Sequence, residues 1–185
     1  MRCYLSILLF LLLLAPAKAQ PKYEVRAAWV TAVYGLDWPR TKATTPTAIR
    51  RQQEELTDIL DKLKAANFNT ILFQTRTRGD VLYHSSIEPY NSILTGKVDG
   101  DPGYDPLAFA VRECHKRGME CHAWMVAIPL GNKKHVASLG NKSVTKQRKE
   151  ICIPYKNEYF LNPGHPSTKE YLMKLVREVV TRYDI

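Results

Sequence analysis

Absences narrow the field first. The 185-residue chain has no apolar run as long as the ~20 residues that a membrane-spanning helix needs; its longest, from Leu5 to Leu14, falls well short. Arg2 precedes that run and Ala17-Lys18-Ala19 follows it, the charged, apolar, small-x-small order of a secretory signal peptide. Cleavage is expected after Ala19, leaving one domain over residues 20–185, no stable membrane span, and a secreted or periplasmic product. Cysteine is scarce. Cys114, Cys121 and Cys152 lie beyond the expected cleavage point, and three do not make a disulfide framework. Cys114 and Cys121 could still bridge a helix to a neighbouring strand. The pairs Cys114-His115 and Cys121-His122 suggest a metal, but adjacent strand residues face opposite sides. Cys121 and His122 therefore cannot share one ion, and no consistent ligand set emerges. No glycine-rich phosphate loop follows the first strand, whose exit reads "TAVYGLDWP". No Gly-x-Ser-x-Gly elbow is present either. The expectation is no metal and no cofactor.

Acidic charge is in deficit. Lys and Arg number 27 against 18 Asp and Glu, a net charge of +9. Loss of Arg2 and Lys18 with the signal peptide would make it +7. Much of the excess is local: Lys133, Lys134, Lys142, Lys146, Arg148 and Lys149 stand against Glu150 alone. Basic runs without interleaved aromatics are weak signs of nucleic-acid binding, and no nucleic-acid partner is expected. The stretch reads as a solvated loop or as a contact for an anionic polymer.

What is present is a strand–helix alternation, three times over. Arg26 to Val33 reads as a strand. A helix follows from Pro46 to about Ala66, with Thr45 as N-cap, proline at the first helical position, and Ile49, Leu56, Ile59, Leu60 and Leu63 at helical period. Thr70 to Arg76 is the second strand. The second helix has Asp105 as N-cap and Pro106 behind it, and stops at Gly118. Met119 to about Ile128 is the third strand. The third helix begins near Pro166, with Leu172, Leu175, Val176, Val179 and Val180 expected inward. Such alternation predicts an α/β fold with a parallel sheet.

Loop lengths add direction. The helix-to-strand returns are short, "ANFN" and "RGM". The loops leaving the strands, about 31–45, 77–104 and 129–164, are long. In a parallel sheet those all emerge at the carboxyl end, and loops beyond ~12–15 residues are usually functional or disordered. Ligand sites of α/β sheets and barrels lie there. Gln74 and Arg76 end the second strand in "NTILFQTRTRGDVLYHSS", with Arg78 and Asp80 above them. On the third strand His122 and Trp124 share one face, and Cys121, Ala123 and Met125 the other. The loops carry Tyr34, Trp38, Tyr83, Tyr90, Tyr104, Tyr155, Tyr159 and Phe160. Rings with a polar tip suit sugars, although they also pack loops together.

The segments "RAAWVTAVYGLDWP", "LKAANFNTILFQTRTRGDVLYHSSIEPY", "LTG", "PGYDPLAFAVRECHKRGMECHAWM" and "LNPGHP" together resemble the glycosyl hydrolase-like 10 family. The similarity runs in order over almost all of the chain after Ala19. The resemblance implies a (β/α)8 barrel, of which about three βα units are present, and hydrolysis of glycosidic bonds in a polysaccharide such as cell-wall glycan. It places Trp29, Trp38, Gln74, Arg76, Gly79, Asp80, His122, Trp124 and Asn162 along the family's cleft. The substrate-binding candidates are Trp38, Gln74, Arg76, Asp80, Tyr83, His122, Trp124 and Asn162. Arg76 and Asp80 would orient substrate or an acid, His122 would bond a sugar hydroxyl, and Trp38 and Trp124 would stack on rings. Asn162 stands where the family commonly has Asp, which weakens a catalytic role there.

Glycoside hydrolysis usually takes two carboxyl groups flanking the bond. Asp37, Asp80 and Glu88 are the loop carboxylates, and their spacing pairs none of them. By resemblance the catalytic carboxylate is expected after Ile185, in a fourth-strand motif. Barrels of this type run to ~250 residues, so the chain is expected to be part of a larger protein and, expressed as it stands, unstable or aggregated. Two other readings remain: a glycan-binding barrel without turnover, and a small secreted α/β domain that binds a partner through its basic loop.

Overall fold

A computed structural model of the chain describes residues 24–185, so the expected signal peptide and cleavage after Ala19 lie outside the described residues. Strands β1 (Ala27–Val30), β2 (Thr70–Arg76) and β3 (Glu120–Met125) form a parallel sheet in the order β1-β2-β3. Helix α1 (Pro46–Ala65) joins β1 to β2, and α2 (Pro106–Lys116) joins β2 to β3. Both starts follow the sequence signals. The Thr45 hydroxyl accepts from the Ala48 N–H and the Asp105 carboxylate from the Ala108 N–H, with proline next in each case. These are consecutive βα units of a (β/α)8 barrel.

The two faces of the sheet differ. Val30, Ile71, Phe73 and Cys121 point at the helices and are buried with Leu56, Leu60, Leu107 and Cys114. Cys114 and Cys121 are both buried there as free thiols. The opposite face carries no helix. Register aligns Trp29, Leu72 and His122 in one layer across it, and Gln74 with Trp124 in the next layer toward the carboxyl end. Trp29 is 60% exposed and meets Trp124 edge to face at 4.7 Å between centroids.

Two expectations change. Strand β3 stops at Met125 rather than Ile128. The segment after it is not a plain loop: β4 (Pro129–Asn132), α3 (Lys133–Ser138), α4 (Val144–Gln147), β5 (Cys152–Tyr155) and β6 (Glu158–Leu161) follow. The three strands make a separate antiparallel sheet in the order β4-β6-β5. Its own core gathers Leu130, Val136, Val144, Ile151 and Leu161 against Tyr171 and Leu175 of α5 (Pro166–Arg182). The hairpin between β5 and β6 turns on Lys156-Asn157, with Lys156 at φ 52°. A lysine in that conformation hides the turn, since glycine or asparagine is what such a position favours.

On α5, Tyr171, Leu175 and Val179 are buried. Val176 and Val180, expected inward, are 40% and 58% exposed, and Met173 lies open beside them. The described residues cover the Tyr171, Leu175 and Val179 side of α5 and leave its Met173, Val176 and Val180 side open. No helix among the described residues is long and apolar enough to cross a membrane.

Candidate functional site

The carboxyl end of the parallel sheet gathers the exits of β1, β2 and β3, and buried polar groups fix their geometry. Gln74 is the first. Its Oε1 accepts from the Thr31 hydroxyl at 2.8 Å and from the backbone N–H groups of Ala32 and Val33 at 2.8 and 2.9 Å. Two backbone donors fix which end of the amide is oxygen. The Nε2 end therefore turns away from the β1 loop. It donates to no described residue and is not sealed from solvent. Gln74 both pins the β1 exit and offers a free donor beside Trp124. Asp37 completes the exit by accepting from the Thr31 N–H at 2.8 Å.

Arg76 behaves differently, and a bulge explains why. Gln74 pairs with Trp124, but Arg76 pairs with Met125, so the register shifts between them. An extra residue in one strand reverses the alternation of faces beyond it. Arg76 thereby leaves the open face and is fully buried. Its Nε and NH2 reach Glu88 at 2.7 and 2.6 Å, and its NH1 reaches the carbonyls of Val126 and Ala127. The Tyr171 hydroxyl donates to the same carboxylate at 2.6 Å. Burial works against the guanidinium charge, but Glu88 outweighs it and holds the group protonated. This cluster joins β2, its following loop, the β3 exit and α5. It also consumes carbonyls just past Met125, where β3 ends early. Among the described residues the Arg76 guanidinium donates to Glu88 and to two backbone carbonyls, so it ties these elements together.

Other expected positions are relocated in the same way. Asp80 is buried in a turn, accepting from the Thr77 hydroxyl and the Arg78 N–H, with His135 Nε2 3.5 Å from its other oxygen. Trp38 is wholly buried, its ring against Phe73 and its indole N–H on the Gln52 carbonyl at 2.8 Å. It has no face left for a sugar. Tyr83 is buried with its hydroxyl on Glu178 at 3.2 Å. Asn162 accepts from the Gly164 N–H at 3.0 Å and shapes the turn before α5. His122 is on the open face but one layer below the carboxyl end, 3.2 Å from the Glu120 carboxylate.

The open face thus brings Gln74, His122 and Trp124 together, with Trp29 beside them. Tyr34 and Arg78 edge the same end. Tyr34 is 72% exposed and held at φ 57°. The Arg78 guanidinium lies 4.7 Å over its ring and donates to its hydroxyl at 2.8 Å. The Arg78 Nε is buried without a partner. Together with Lys42, Asn91 and Ile93 they line a cleft of about 300 Å³. Tyr34 is a non-glycine residue in the left-handed region, and its stack with Arg78 sits at the rim of that cleft. Arg78, which the sequence places in the loop above Arg76, is thus at the rim of the cleft, while Arg76 lies in the core. Of the three loop carboxylates, Asp80 and Glu88 are buried in hydrogen-bond networks and only Asp37 is exposed.

Parallel βα units with an aromatic and polar face at their carboxyl end have the architecture of part of a (β/α)8 barrel. The chain belongs to the glycosyl hydrolase-like 10 family, whose pattern matches residues 24–185. It is 33% identical over 170 residues to "Glycosyl hydrolase YngK" of Bacillus subtilis, covering 91% of this chain and 33% of that protein. It is 33% identical over 184 residues to "Glycosyl hydrolase DigH" of Escherichia coli K12, covering 92% of this chain and 42% of the relative. The chain therefore spans less than half the length of these relatives. Among solved structures, a maltogenic alpha-amylase, AmyB of Thermotoga neapolitana, superposes with a TM-score of 0.53 at 14% identity. That match covers 86% of this chain and 36% of the amylase, a likeness of fold.

Proposed function

We propose that this chain forms a substrate-binding part of a secreted glycoside hydrolase that acts on a polysaccharide, with cell-wall glycan as the substrate class. The observation that supports this reading is the open face at the carboxyl end. Trp124 and Trp29 offer apolar ring surface, and the Gln74 amide offers a fixed, unused donor beside it. That pairing suits a sugar, which presents C–H patches and hydroxyls together. Tyr34 and Arg78 extend the surface at its rim.

The test uses the complete protein that carries this chain, incubated with purified cell-wall glycan while new reducing ends are counted. Release of reducing ends is expected, and Trp124→Ala should slow it by about tenfold, the loss of one stacked ring at ~1.4 kcal/mol. No release from any polysaccharide would overturn the reading. The burial of Asp80 and Glu88 favours a second reading, glycan binding without turnover. In the same assay that second reading gives retention of the glycan with no new reducing ends.

A further inference from the structure

The insertion after β3 carries a feature of its own. Between α3, α4 and the β5–β6 hairpin lies a groove of about 500 Å³. Lys133, Lys146 and Lys149 line it, over a floor that includes Val136, Pro154 and Tyr159. No carboxylate is among its lining residues. Of the other three cations of the stretch, Lys142 pairs with Asp99, Arg148 pairs with Glu150, and Lys134 does not line the groove. No ion pair or hydrogen bond engages the ammonium groups of Lys133, Lys146 and Lys149 among the described residues. All three are exposed, so none bears a desolvation cost.

We propose that this groove binds an acidic polysaccharide, a glycan whose sugars bear carboxylates. Three lysines on one groove supply the charge complement, and like charges gathered on a groove attract a multivalent anion. The floor of tyrosine, proline and valine fits the C–H faces of sugar rings. A polyphosphate has no such faces and would leave the floor unused. The groove is separate from the open face of the parallel sheet and would hold a strand of glycan beside it. The choice of a glycan rests on the proposed function; the choice of an acidic one rests on the lysines.

The test measures binding of the full chain to oligogalacturonate, to a neutral glucan of equal length, and to polyphosphate. Binding to oligogalacturonate is expected, weakening as salt rises. Lys133→Gln/Lys146→Gln/Lys149→Gln should weaken it roughly tenfold, while the triple Arg50→Gln/Arg51→Gln/Lys64→Gln on α1, which removes the same net charge from exposed positions that line no part of the groove, should change it less than about twofold. Equal losses in the two triples would reduce the groove to net charge and overturn the proposal. So would binding of polyphosphate without oligogalacturonate, or no binding of oligogalacturonate at all. The substituted residues are exposed, so the variants fold as the parent does. If the complete protein cleaves no polysaccharide yet lysine-dependent binding persists, the proposed function falls and the groove stands.

Discussion

The loops leaving β2 and β3 face the same problem and solve it by opposite means. Each is a long segment that must hold a defined shape at the carboxyl end of the sheet. The β2 loop, about residues 77–104, is held by buried polar groups. Arg76 grips Glu88, Asn91 donates to Thr77, and Glu178 of α5 accepts from Ser85, Ser86 and Tyr83. The segment after β3 is held by an apolar core of its own and a three-stranded antiparallel sheet. A polar scaffold places each residue by specific partners, whereas an apolar one needs only volume and pattern. The β2 loop is therefore the one that can fix single functional groups such as Arg78. The insertion can present a broad surface such as the lysine groove.

Substitutions should separate the two. The largest effect is expected for Arg76→Met. It leaves Glu88 buried and uncompensated, which costs about 3–5 kcal/mol, read as a lowered urea midpoint. If Arg76→Met unfolds no more readily than the parent, the cluster is not what holds the β2 loop.

Leu161→Ala should cost about 2–5 kcal/mol, as expected for emptying a fully buried site. Its signature should be local. In hydrogen exchange, amides of β4–β6 should exchange faster while those of β1–β3 keep their protection. A uniform rise across both sheets would mean that the two regions unfold as one unit.

Gln74→Leu strands the N–H groups of Ala32 and Val33, at about 1–3 kcal/mol for each buried donor left unpaired. Exchange should rise at residues 31–37 and not in the insertion.

The smallest effect concerns pH. Burial raises the Glu178 carboxyl, but hydrogen bonds from Ser85, Ser86 and Tyr83 outweigh it and hold the group below its ordinary value of 4.5. The folded state thus binds the proton less readily than the unfolded state. Stability from this group is complete above pH 4.5 and is lost as the pH falls through its lower folded value. The group is partly open to solvent, so the contribution is under about 1 kcal/mol. Glu178→Gln should flatten the acid limb of a thermal-stability profile by that amount. An unchanged acid limb would assign the dependence to another carboxylate.

Much of this architecture can be read from particular residues in sequence order. Thr45-Pro46 and Asp105-Pro106 mark two helix starts, because a capping oxygen followed by proline satisfies the free N–H groups at a helix end. Thr70 to Arg76 announces a strand buried on both faces and polar at its exit. The short returns against long exits put the site at the carboxyl end. The hairpin at Lys156-Asn157 could have been suspected from two apolar runs two residues apart, but its turn lacks the expected glycine. The roles of the site candidates were far less legible. Gln74, Arg76 and Asp80 all read as cleft residues, and only Gln74 keeps a group facing outward.

What the sequence by itself determined is local: the helix caps, the periodicity of α1 and α2, the parallel βα order, the family, and which stretch concentrates positive charge. These follow from interactions within a few residues or from pattern alone. Only the tertiary structure decided the rest. One bulge after Gln74 reversed the face on which Arg76 lies. Glu88 and Tyr171, distant in sequence, then made that arginine part of the core. Exposure of Val176 and Val180, and the gathering of Lys133, Lys146 and Lys149 on one groove, depend on which surfaces pack together. Register and burial are set by partners far along the chain, and spacing in the sequence carries no record of them.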